Sequence, residues 1–139
     1  MIIKAIKDFF GECPLLAGGH IGVDYLPADA GEYVIEPLPC NPIVKKYVGG
    51  GTLRRYDFVF ASRKEYSEEV RLLIENSGLF ENITGWIEEQ SKSEKLPELP
   101  EGCSAQWLEV TSGGYLFSDD GNNTAVYQMQ CRLVYYQEG

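Results

Sequence analysis

The most constraining pattern in the chain lies between Ala125 and Tyr136. There Ala125, Tyr127, Met129, Cys131, Leu133 and Tyr135 alternate with Val126, Gln128, Gln130, Arg132, Val134 and Tyr136. Successive side chains of a strand point to opposite faces, so this stretch has one apolar face and one mostly polar face. A strand of that kind covers a core on one side only. This is the habit of antiparallel sheets, because strands of a buried parallel sheet are apolar on both faces. The remaining residues must therefore supply partner strands and a layer over the apolar face.

Partner strands are legible in both halves. His20 to Tyr25 and Tyr33 to Glu36 read as strands, separated by the turn-rich Pro27-Ala28-Asp29-Ala30-Gly31. Leu53 to Ala61 is stronger, with Tyr56, Phe58 and Phe60 on one face. Ala105 to Thr111 and Tyr115 to Phe117 follow, before the turn-prone Ser118 to Asn123. Between Pro37 and Pro42 three prolines exclude a central strand and predict an extended loop.

The covering layer is helical. Ile2, Ile3, Ile6, Phe9 and Phe10 recur at helical spacing, with Gly11 and Pro14 ending the segment. A central helical pair is predicted next. Its first member opens with Glu68 and Glu69, carries Val70, Leu73 and Ile74 on one stripe, and is capped by Gly78. Its second carries Phe80, Ile83, Trp86 and Ile87, then gives way to a charged, proline-rich surface linker over 91–102. Runs of strands and helices, without strict alternation, predict one α+β domain over 1–139. It has a largely antiparallel sheet with helices on one face.

Charge and composition narrow the function. Twelve Lys and Arg against 21 Asp and Glu leave a formal charge of -9. Lys45-Lys46 and Arg54-Arg55 are isolated pairs, so stable nucleic-acid or anionic-membrane binding is not expected. No apolar run approaches the roughly 20 residues that span a bilayer. The N-terminal segment is amphipathic and does not read as a signal peptide, which predicts a cytosolic setting with reduced thiols. Cys13, Cys40, Cys103 and Cys131 form no close pair, and the lone His20 is seven residues from the nearest of them, Cys13. A zinc site is therefore not expected.

Catalytic motifs are also missing. His20 is the only imidazole; a role as general base would require Cys13 or Asp24 to be brought to it, and no flanking motif supports that. Gly49-Gly50-Gly51-Thr52 leads into a strand and lacks the lysine and helix of a phosphate-binding loop, so it reads as a turn. Asp119-Asp120-Gly121-Asn122 lacks the spacing and distal glutamate of a calcium loop. The expectation is a non-enzyme that binds no cofactor or metal. The alternative is a small enzyme or ligand-binding domain with a pocket near His20.

In element order the chain resembles the tail-completion or tail-terminator proteins, often called minor capsid proteins, of long-tailed bacteriophages and prophages. The resemblance is carried by the N-terminal Ile2-Ile3-Ile6-Phe9 helix, Tyr56 to Ala61, and Phe80 to Ile87. Leu108-Glu109-Val110-Thr111 and the last strand complete it. It implies a homo-oligomeric ring, a hexamer, at the head-proximal end of the tail. Such a ring, assembled in the bacterial cytoplasm and retained in the virion, would stop tube growth and dock to the head connector. The loops expected to contact the tail tube protein are Gly49, Gly50, Gly51 and Thr52, the 91–102 linker, and the stretch holding Gly113, Gly114, Asp119, Asp120 and Asn122.

Overall fold

The structure is a computed structural model that describes residues 1–16, 20–23, 32–66, 70–119 and 123–139. Its element order is α1 (Ile2–Gly11), β1 (Ile21–Val23), β2 (Tyr33–Pro37), β3 (Ile43–Lys46), β4 (Thr52–Glu65), α2 (Val70–Lys92), β5 (Cys103–Asp119) and β6 (Thr124–Gln137). A short 3-10 turn over Pro14–Leu16 follows α1. The protein is α+β: six strands form one sheet in the order β1-β2-β4-β6-β5, with β3 also on β4. Among the described residues only β1 and β2 pair in parallel.

β6 is the organising strand. It pairs with β4 from Thr52↔Gln137 to Glu65↔Thr124 without a register shift. Its predicted apolar face is buried throughout, together with Phe58 and Phe60 of β4 and Tyr33 and Ile35 of β2. On the opposite face Asp57 stands across from Arg132. The guanidinium donates to both carboxylate oxygens, Nε to Oδ1 at 2.8 Å and Nη2 to Oδ2 at 3.3 Å. This hydrogen bond holds the Arg132 pKa above its usual value. Val34, Val59, Ala61 and Val126 form a second buried cluster on that face, which the alternation alone had made mostly polar.

α1 covers the main core with Ile6, Phe9 and Phe10. Phe10 stacks on Phe60 at 4.6 Å between centroids and meets Phe58 edge-on at 6.0 Å. The helix ends as predicted: Glu12 and Cys13 N–H groups turn back to the Phe9 and Phe10 carbonyls.

The predicted helical pair is a correction. α2 is continuous, with Gly78 in its interior. A glycine inside a helix costs only about 1 kcal/mol. The buried face runs through Asn76, Phe80, Ile83 and Ile87, so packing on both sides of Gly78 outweighs that cost. Asn76 is buried but satisfied, its Nδ2 donating to the Glu65 carbonyl at 2.9 Å. Ile74 does not join the stripe: it is 65% exposed. Glu68 and Glu69, and the side chains of Val70 and Leu73, lie outside the described residues.

α2 ends in a Schellman turn. The Lys95 N–H reaches the Gln90 carbonyl at 2.9 Å and the Glu94 N–H reaches that of Ser91 at 3.2 Å. Glu94 takes the left-handed position, with φ 57°. Glycine is the usual occupant there, and an L side chain costs roughly 1–2 kcal/mol.

Candidate functional site

The first predicted contact loop is a tight hairpin between β3 and β4. The Gly50 N–H donates to the Tyr47 carbonyl at 3.0 Å, and the Tyr47 N–H to the Gly51 carbonyl at 2.9 Å. Gly50 has φ +99°, which only glycine adopts freely. A Cβ on Gly51 would overlap the Tyr136 ring, whereas one on Gly49 would meet open space. Thr52 is already the first residue of β4, facing Lys46 and Gln137. β3 carries no alternation that marks it in the sequence. It brings Val44, Lys45, Lys46, Tyr47 and Val48 to the tip, all exposed. Lys45 lies over the Tyr47 ring at 5.2 Å, and Tyr47 meets Tyr136 edge-on at 5.9 Å.

The third predicted contact loop is corrected. Gly113, Gly114 and Asp119 belong to β5, not to a loop. β5 contains more residues than the stretch of β6 it faces, and the excess is absorbed at four register shifts. One shift falls between Ser112 and Tyr115, so Gly113 and Gly114 form a bulge. Gly114 is a packing residue: a Cβ there would lie 2.3 Å from the Phe80 Cβ of α2, while one on Gly113 has nothing within 4 Å. Glycine inside a strand marks a bulge or a close approach, and this pair does both. Asp120 and Asn122 lie outside the described residues.

Among the described residues β5 is an edge strand. It leaves Trp107 44%, Leu116 43% and Phe117 61% exposed. An edge of such length invites pairing with another chain, and bulges are one of the devices that restrict it to short regular stretches. The expected 91–102 surface linker is corrected: Ser91 and Lys92 belong to α2, where the Ser91 hydroxyl donates to the Leu108 carbonyl at 2.8 Å. In the stretch that follows, Pro97 is buried and Leu96 and Leu99 pack against the core.

His20 precedes β1 with its side chain 71% exposed. Its Nδ1 lies 3.7 Å from Glu32 Oε2, beyond hydrogen-bond range. Neither companion suggested by the sequence joins it within the described residues: Cys13 is buried in the core under α1, and Asp24 lies outside them. Among the described residues no group of three or more His, Cys, Asp and Glu is placed to hold a metal ion. No described helix is long and apolar enough to cross a membrane.

No protein-family model and no curated protein sequence matches the chain.

All four cysteines are free thiols. Burial pushes Cys131 far above the usual thiol range. It also raises Cys13, partly opposed by hydrogen bonds from the Leu15 and Leu16 backbone. Cys40 and Cys103 are half-exposed, and Cys103 is the first residue of β5. Thiolate is the reactive form. A thiol reagent at about pH 8 should therefore label Cys40 and Cys103 of the folded protein first, and Cys13 and Cys131 only after denaturant is added. Peptide mapping that found equal labelling of all four in the folded state would contradict this.

Proposed function

We propose that the chain is a structural subunit of a phage or prophage tail, forming a ring at the head-proximal end of the tail tube that terminates tail growth and joins tail to head. The observation that carries this reading is the placement of the exposed large apolar side chains. Among the described residues six of the ten exposed large hydrophobics fall in two places: Val44, Tyr47 and Val48 on the β3–β4 hairpin tip, and Trp107, Leu116 and Phe117 along edge strand β5. None of them belongs to, or packs against, the buried core clusters. Exposed apolar patches mark interaction surfaces, and a closed ring requires different patches on the two sides of each subunit.

The net charge of -9 fits a ring whose opening passes DNA without retaining it. The element order that resembles the tail-completion proteins supports the same reading, and with it a hexamer that meets the tail tube protein and the head connector. The subunit works in this reading by burying apolar surface, not by catalysis. It needs no cofactor, is assembled in the bacterial cytoplasm and ends in the virion. No specific observation favours a catalytic pocket at His20. His20→Ala should leave assembly unchanged.

Negative-stain electron micrographs of the concentrated protein test the reading. Closed rings of uniform subunit number with a central opening are expected. Open filaments, or fields without assemblies, would overturn it.

A further inference from the structure

We propose that the β3–β4 hairpin tip of one copy docks into the cleft between α1 and the C-terminal end of α2 on a second copy. The inference rests on the self-assembly reading above and names the contact that would carry it.

The cleft measures about 720 Å³. Its floor is aromatic and aliphatic: the Phe9 and Trp86 rings lie 4.9 Å apart, with Leu96 beside them. Four carboxylates, Asp8, Glu12, Glu94 and Glu98, face it against two ammonium groups, Lys4 and Lys95. Lys4 is bound to Asp8 at 2.9 Å, so the remaining rim is acidic. Glu94 is the rim residue in the left-handed cap of α2, where glycine would be less strained. A carboxylate kept at a strained position is grounds for a functional hypothesis about that position.

The tip has the opposite character. Lys45 and Lys46 are exposed on it; Val48 next to them is fully exposed, while Tyr47 is exposed on one side and lies against Lys45 and Tyr136 on the other. Two molecules at net charge -9 repel each other overall. The basic tip and the acidic cleft are a place where attraction can offset that repulsion and fix the register of approach. A cleft of this size accepts a few side chains, and an exposed Val48 beside two lysines matches a lining that sets Phe9, Trp86 and Leu96 among Glu12, Glu94 and Glu98. The tip does not fill the cleft of its own chain: Tyr47 is packed against Tyr136, and no tip residue lines the cleft. The occupant is therefore the tip of a second copy. Because tip and cleft are different patches, the contact is of the heterologous kind that a ring repeats at every subunit boundary.

The test uses two charge-reversed full-length proteins, Lys45→Glu with Lys46→Glu and Glu94→Lys with Glu98→Lys, all at exposed positions. Circular dichroism confirms that each is folded. Assembly is read by light scattering after size exclusion in low salt. Each variant alone should dissociate at concentrations about tenfold or more above those at which the unmodified protein does. An equimolar mixture should recover the unmodified mass, since each reversed tip then meets a reversed cleft. If the unmodified protein assembles and either variant assembles equally well, the tip-to-cleft contact is refuted while the assembly reading stands. A mixture that stays dissociated also refutes it. An unmodified protein that remains a monomer throughout refutes both.

Discussion

Phe10→Ala is expected to destabilise the fold by about 3–5 kcal/mol. Phe10 is wholly buried and ties α1 to the sheet and to α2. It stacks on Phe60, meets Phe58 edge-on and lies 6.2 Å from Trp86 of α2. Removing the ring opens a void between α1 and the sheet that Phe9 cannot fill, because Phe9 is already packed on Trp86 at 4.9 Å. Total stabilities of domains are about 5–15 kcal/mol, so the variant should retain little margin. Its melting temperature should fall by roughly 10–20 °C. Denaturant titration followed by tryptophan fluorescence measures the change, and a loss below about 1 kcal/mol would mean that α1 does not anchor the core as described.

Gly114→Ala is the second large effect, and its contrast with Gly113→Ala is the informative part. At position 114 the new Cβ would lie 2.3 Å from the Phe80 Cβ and 2.6 Å from its Cγ; at 113 it meets nothing. α2 must retreat from β5 to relieve the first, at a cost of about 1–3 kcal/mol or more. The second should be close to neutral. Trimming Phe80 to alanine should not rescue Gly114→Ala, because the clash begins at Cβ, which alanine keeps. Equal stability of the two glycine variants would show that α2 does not sit against β5 at this point.

These two positions differ in how visible they are in the sequence. Phe10 is legible from sequence because an amphipathic helix declares its buried face by spacing alone. The same holds for β6, where alternation identified six buried residues from Ala125 to Tyr135. Gly114 was not legible as a packing residue. Gly113-Gly114 beside Ser112, Ser118 and Asp119 has turn composition, and only the approach of Phe80 from a distant helix gives it its role.

Gly78 misled in the same direction, since local propensity marks a helix end while the buried face on both sides keeps α2 intact. β3 was hidden for another reason. Its Ile43, Val44, Lys45 and Lys46 are too short and too polar to show alternation, and they are ordered by pairing with β4. The acidic cleft could not be read at all, because Asp8, Glu12, Glu94 and Glu98 come together only when α1 packs beside the end of α2. Its lysine-bearing counterpart was visible in the sequence as Lys45-Lys46, but without the hairpin it had no position.

The central claim is that the protein acts by assembling with itself, and its solution mass tests this most directly. Light scattering across a concentration series should give a plateau at one fixed multiple of the protomer mass, six if the resemblance to the ring-forming tail proteins holds. A mass that stays at one protomer throughout, or climbs without a plateau, would contradict the account.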